Sequence, residues 1–239
     1  METGYNTVQQ DTNRPYTVIS TATSLDGCID DTSDKRLILS NEADMAEVDA
    51  LRAASDAILV GAGTLRADNP FLRIRSTTLI EDRLSKKQPA HPLRVTITTS
   101  GELSTKLHFF EGEREHNLLY CPAKKVSDIE RTFGSCALIR GYPGEAAAPL
   151  WISLDLKSLG VSRLLIEGGT QINSLFLKND LVDELRLAIA PFMVGDLSAP
   201  RLINTHEICC HKGNPLKLRN IHRFADLVVL SYTFLKTEE

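Results

Sequence analysis

The chain has no run of about 18 apolar residues, the length a helix needs to cross a bilayer. Its opening segment, METGYNTVQQDTNR, lacks the apolar stretch of a signal peptide. It has no basic surplus either: 27 Lys and Arg stand against 31 Asp and Glu, a net charge of −4. Binders of nucleic acid or anionic surfaces need spare cations to neutralise phosphate, so that class is excluded and any phosphate bound is small and locally contacted. The five cysteines, Cys28, Cys121, Cys136, Cys209 and Cys210, form no CxxC pair and are odd in number. A chain of 239 residues needs no disulfide staples, so reduced thiols are expected. The six histidines, His91, His108, His116, His206, His211 and His222, show no i, i+4 pairing and no cysteine at metal-ligand spacing. Together these absences predict a cytoplasmic protein with no metal centre and with neither a nucleic-acid nor a membrane partner.

What is present suits an ordinary globular core, with 42% hydrophobic residues. Residues 1–14 are polar and lack periodicity, which predicts a flexible tail before one domain over residues 15–239. From Pro15 onward short β-rich runs alternate with helical patterns: YTVISTAT, EADMAEVDALRAAS, DAILVG, then LRVTITTS, NLLYCP and SCALIRG. That alternation predicts an α/β fold with a mostly parallel central sheet flanked by helices. DELRLAIAP and ADLVVLSYTFLK read as strands with no convincing helix between them, which predicts antiparallel C-terminal strands on that sheet. RSTTLIEDRLSKKQPAHP, charged and ended by proline, is expected to be a surface loop.

Three segments carry candidate chemistry. In DAILVGAGTLRADNPFLRIR, residues 56–75, an apolar strand runs into Gly61, Ala62, Gly63 and Thr64, at the strand end where open α/β sheets bind ligands. Glycine there lets backbone N–H groups approach a phosphate, although a purely structural turn uses the same residues. In RLLIEGGTQINSLF, residues 163–176, a strand ends at Glu167, two glycines follow, and Thr170 stands where an N-cap would open a helix. Free N–H groups and the positive end of a helix dipole suit a pyrophosphate, while Glu167 repels one and is better placed toward a substrate. In STATSLDGCID, residues 20–30, Asp26 reads as a turn residue that caps backbone N–H groups.

Taken together, SLDG at 24–27, LRAASDAILVGAGTLRADNPFLRIR at 51–75, PLRVTITTS at 92–100, IEGG at 166–169 and LVDELRLAIAP at 181–191 resemble, in order and spacing, the reductases of riboflavin biosynthesis. That family comprises the reductase half of a bifunctional deaminase/reductase and its stand-alone archaeal and fungal relatives. The resemblance spans residues 15–236 and implies a dihydrofolate-reductase-like fold, NADPH as cofactor, and a homodimer joined through the antiparallel C-terminal strands. It implies hydride transfer to C1′ of a ribosylamino pyrimidine 5′-phosphate, which opens the ribose to a ribityl chain. By the same resemblance Gly61, Gly63, Thr64, Asp68, Thr99 and Gly168 through Asn173 (Gly168, Gly169, Thr170, Gln171, Ile172, Asn173) contact the cofactor. Ser20, Arg52, Leu72, Arg75 and Glu167 face the substrate, the two arginines being suited to its 5′-phosphate. The chain departs from the bifunctional pattern in lacking the H-x-E and P-C-x-x-C motifs of the zinc deaminase. It also has Ser20 where a lysine is usual, and Leu37-Ile38-Leu39-Ser40 where Trp-Ile-Thr-Ser is usual. These departures keep open a pterin or another heterocycle as substrate, and a non-catalytic ligand-binding module as a further alternative.

Overall fold

The computed structural model describes residues 13–33, 35, 37–204 and 215–235. Among these residues nine strands form one sheet: β1 Tyr16–Thr23, β2 Ala57–Gly61, β3 Leu93–Ile97, β4 Asn117–Pro122, β5 Leu138–Tyr142, β6 Arg163–Ile166, β7 Glu184–Ile189, β8 Lys217–Phe224 and β9 Leu227–Thr233. Their order is β5-β4-β3-β2-β6-β1-β7-β9-β8. The first seven are parallel to one another, and β9 and β8 join antiparallel, β9 against β7 and β8 against β9. Among the described residues six α-helices lie in the crossovers: α1 Glu42–Ala53, α2 Ala62–Asp68, α3 Thr77–Ser85, α4 Val126–Phe133, α5 Pro149–Ser158 and α6 Thr170–Lys178.

Strand β2, AILVG, is buried along its whole length, and β6, RLLI, is apolar after its first residue, because both faces are covered, as parallel sheets require. Successive side chains point to opposite faces, so Ile19 and Leu59 join one buried cluster with α5 and α6 while Val18 and Ile58 join the other. From β2 the chain winds outward through β3, β4 and β5, and then β6 returns to insert between β2 and β1. The crevice at such a reversal, beyond the carboxyl ends of the strands, is where open α/β sheets place ligands.

Three sequence expectations change. RSTTLIEDRLSKKQPAHP is not a loop: it holds α3, capped by Ser76, whose Oγ accepts from the Leu79 N–H at 3.4 Å. Its anchor is polar, which hides it from a reading of apolar periodicity. Arg83 is buried and donates to the carbonyls of Ala53, Ser55 and Pro89 at 2.7, 2.9 and 2.8 Å, tying α3 to the end of α1. Charge-assisted bonds of this kind contribute about 1.5–3 kcal/mol each when a buried partner would otherwise be orphaned. Arg83→Ala is therefore expected to destabilise the fold by about 3 kcal/mol and to lower Tm by roughly 6–12 °C. Thermal unfolding checks this, and a Tm within a degree of the parent would show that the three bonds contribute nothing.

The second change is β8, an additional strand inside the stretch where sequence reading found none; it forms a hairpin with β9 through Ala225-Asp226, Ala225 being at φ +57°. The third is Arg14, assigned to the flexible tail but buried, with a bidentate pair to Asp183 at 2.7 and 2.9 Å. Cys209, Cys210, His206 and His211, and residues 1–12 of the tail, lie outside the described residues. Among those described, Cys28, Cys121 and Cys136 are free thiols, no histidine or cysteine cluster could hold a metal, and no helix is long and apolar enough to cross a membrane.

Candidate active site

A cavity of about 1050 Å³ opens over the carboxyl ends of β1, β2, β3 and β6, walled on one side by α1. Its floor at the β1 side is built from two buried arginine–carboxylate clamps. Arg52, in the last turn of α1, grips Glu167 at the end of β6: Nε donates to Oε1 at 2.6 Å and Nη2 to Oε2 at 2.7 Å. Its Nη1 donates to the carbonyls of Phe71 and Arg73 at 3.2 and 2.9 Å. Burial pulls the Arg52 guanidinium down, but the Glu167 charge and hydrogen bonds, with Asp49 nearby, outweigh that and hold it above its ordinary value.

Arg186 of β7 makes the second clamp. Its Nη2 reaches Asp44 Oδ1 and Glu47 Oε2 at 2.5 Å each, and its Nε reaches Glu47 Oε2 at 3.0 Å. Glu47 is also bonded to His222 Nδ1 on β8 at 2.5 Å. Burial raises the Glu47 carboxyl, yet its bonds to Arg186 and His222 leave it below the usual range. Asp44 is 1% exposed and lines the cavity, and its Oδ2 has no hydrogen-bond partner among the described residues. A buried carboxylate oxygen left alone costs about 1–3 kcal/mol, and this one belongs to a residue of the cavity wall. Ser20, directly opposite Arg186 in the β1–β7 register, lines the same end.

At the other end two glycine turns face each other. Gly61 caps α2 and its N–H donates to the Gly168 carbonyl at 3.1 Å. Gly169 precedes α6 at φ +47°, ψ 151°, and a Cβ on it would stand 2.7 Å from Thr64 Oγ1. A Cβ on Gly61 would stand 2.9 Å from Ile172 Cγ1. Among the described residues no carbonyl accepts from the N–H groups of Gly168, Gly169, Thr170 or Gln171, which leaves four donors at the positive end of a helix dipole.

Of the residues expected at the site, Ser20, Arg52, Glu167, Gly61, Gly63, Thr64, Asp68, Thr99 and Gly168 through Ile172 all line this cavity. Leu72 and Arg75 do not. Leu72 is buried in the core beneath, packed with Leu65 and Phe109. Arg75 is exposed and lies outside, because Asp49 accepts the N–H groups of Arg75 and Ser76 at 2.8 Å each and fixes the chain there. Arg52 lines the cavity with its guanidinium bonded to Glu167 and two carbonyls. Asn173 is turned inward, donating to the Leu202 carbonyl at 3.2 Å. Thr170 is the first residue of α6, with Gly169 at the cap position, and its hydroxyl bonds the Arg201 carbonyl at 2.6 Å.

Sequence reading missed Asp44, Arg186 and Arg66. An arginine inside the alternating strand ELRLAI was the available signal, since a charge at a core position demands a buried partner.

The model of the RibD C-terminal domain family matches residues 15–230. The 2,5-diamino-6-ribosylamino-4(3H)-pyrimidinone 5′-phosphate reductase of Archaeoglobus fulgidus is 35% identical over 191 residues, 78% of this chain and 85% of that one. Its namesake from Methanothermobacter thermautotrophicus is 27% identical over 225 residues, 92% and 98% of the two chains. Among solved structures, Acinetobacter baumannii RibD matches with a TM-score of 0.74 at 24% identity, over 94% of this chain and 59% of that longer one. A pyrimidine reductase-like protein of Corynebacterium diphtheriae matches with a TM-score of 0.77 at 20% identity, over 98% and 97%. At such identities the two structures speak for the fold alone.

Proposed function

The chain belongs to the RibD C-terminal domain family, and on that premise we propose that it is the NADPH-dependent reductase of riboflavin biosynthesis that converts 2,5-diamino-6-ribosylamino-4(3H)-pyrimidinone 5′-phosphate to its ribityl product, in the cytoplasm and as a homodimer. The observation that carries this reading is one cavity with two clamped carboxylates at one end and a turn of free N–H groups at the other. Support for a second copy comes from β8, exposed along nearly its whole length at the edge of the sheet, with Leu218 and Ile221 outward.

A nicotinamide dinucleotide fits the residues present. The glycine turns are cradles that a Cβ would fill, and the unbonded N–H groups of residues 168–171 suit a pyrophosphate. When bound, the reduced nicotinamide supplies a hydride to C1′ of the substrate. The chain's own part is binding and orientation. Glu167, fixed by Arg52, and Asp44, fixed by Arg186, present acceptor oxygens to the amino groups of the pyrimidine. Both clamps are buried, so the carboxylates are held in place before the substrate arrives and little ordering remains to oppose the reaction.

Turnover tests the reading. Purified protein mixed with NADPH and the diaminopyrimidinone phosphate is expected to consume NADPH and to yield a product heavier by two hydrogens, followed by absorbance and mass spectrometry. No NADPH consumption with this substrate or its uracil counterpart would sink it.

A further inference from the structure

Among the described residues three cations line the cavity: Arg52, Arg66 and Arg186. Two of them are neutralised, Arg52 by Glu167 and Arg186 by Asp44 and Glu47. Arg66 is not. It stands on α2 with its side chain exposed, makes one side-chain hydrogen bond, from Nη1 to the Glu102 carbonyl at 3.0 Å, and has no carboxylate partner among the described residues. That bond lays the guanidinium against the turn that follows β3, where Thr99 and Ser100 are exposed at the cavity wall. The turn is itself fixed: Thr98 Oγ1 accepts from the Gly101 N–H at 3.0 Å, and Ser100 Oγ accepts from the Glu102 N–H at 3.3 Å, which leaves the Ser100 hydroxyl proton free to donate. One arginine with Nε and Nη2 uncommitted, beside two hydroxyls, is chemistry for a phosphate monoester dianion.

We propose that Arg66, with the hydroxyls of Thr99 and Ser100, selects a nicotinamide cofactor that carries a phosphate on its adenosine ribose. The proposal rests on the reductase reading and names the residue that sets its cofactor preference. Two phosphates could supply the dianion, that of the cofactor's ribose and the 5′-phosphate of the substrate, and position decides between them. Asp44, Arg186 and Ser20 mark the heterocycle end at β1 and β7, whereas Arg66 and Thr99 stand at the ends of β2 and β3. Along the order β1-β6-β2-β3 that is three strand spacings, about 14 Å, with the free N–H groups of residues 168–171 lying between at the end of β6. A dinucleotide whose pyrophosphate rests on those N–H groups reaches Arg66 with its adenosine half, while its nicotinamide half extends toward the carboxylates.

The test measures binding of two adenosine fragments, 2′,5′-ADP and 5′-AMP, by calorimetry, alongside kcat/KM with NADPH and with NADH. The parent is expected to bind 2′,5′-ADP about tenfold or more tightly than 5′-AMP. Arg66→Ala is expected to erase most of that ratio, and Arg66→Lys, which keeps the charge but not the fork, to retain part of it. The NADPH/NADH preference in turnover should fall in step. An unchanged fragment ratio in Arg66→Ala overturns the proposal. So does a raised KM for the pyrimidine phosphate with NADPH affinity intact, which would give Arg66 to the substrate. If the parent reduces the pyrimidine equally well with NADH, the Arg66 assignment falls while the reductase reading stands. If neither nicotinamide supports reduction, both fall.

Discussion

Asp44→Asn is expected to lower kcat/KM for the diaminopyrimidinone phosphate roughly 10- to 150-fold, the equivalent of about 1.5–3 kcal/mol for one charge-assisted hydrogen bond, with NADPH affinity unchanged. The carboxylate has one oxygen on Arg186 and the other buried and unpartnered at the cavity wall. An ionised carboxylate only accepts, so its free oxygen selects a donor such as an exocyclic amino group. Asparagine keeps an acceptor for Arg186, with Glu47 still supplying the counter-charge, but turns an N–H₂ toward the cavity. Two donors then face each other, and a site built to bond an amino group rejects a partner that cannot accept it. Ser20 allows the converse experiment. It lies across from Arg186 on the adjacent strand, so Ser20→Lys brings an ammonium beside Asp44 and presents a donor to the heterocycle. That variant is expected to shift preference toward the carbonyl-bearing uracil. Specificity constants for both substrates in the three proteins decide the matter: ratios that do not move would show that neither residue reads the base.

How much of this was legible in the sequence follows from sequence separation. The glycine turns are local objects: an apolar strand, small residues and a helix start within a few positions, and both sit at the cavity. Strands β2 and β6 are equally local, since burial on both faces makes them nearly continuous apolar runs. The clamps are not local. Arg52 meets Glu167 across 115 positions and Arg186 meets Asp44 across 142, and nothing in a one-dimensional pattern says which carboxylate a guanidinium will reach. For that reason the sequence alone does not show that the Arg52 fork bonds Glu167 and two carbonyls. Helix α3 escaped notice on similar grounds, because what fastens it is a buried arginine on three carbonyls rather than an apolar stripe. The strand β8 escaped because nearly all of its residues are exposed, and without a buried face the alternation that identifies a strand is absent.

Gly169→Val is expected to weaken NADPH binding by a further 10- to 150-fold or so, again the scale of losing one or more charged contacts, while the pyrimidine still binds. Two effects act together. At φ +47° and ψ 151° the backbone of Gly169 is in a region that side chains with a Cβ scarcely enter, so substitution strains the turn by about 1–3 kcal/mol. The added Cβ also stands 2.7 Å from Thr64 Oγ1, closer than real Cβ contacts come, so either the Gly169 turn or the Thr64 hydroxyl has to shift. Relaxing the φ angle rotates the peptide planes on either side, and with them the N–H groups of Gly169 and Thr170 that aim at the cavity unbonded. Moving the Thr64 hydroxyl instead rearranges a side chain that lines the cavity beside the turn. Either route damages the cradle and spares the clamps, because Asp44 and Glu167 are held by Arg186 from β7 and Arg52 from α1 rather than by this turn. Calorimetry with NADPH and, separately, with the pyrimidine phosphate resolves the two ends, with thermal unfolding to establish that the variant is folded. A folded Gly169→Val protein that binds NADPH as tightly as the parent would mean that the pyrophosphate lies elsewhere, and one that loses both ligands equally would mean that the turn supports the whole cavity rather than the cofactor alone.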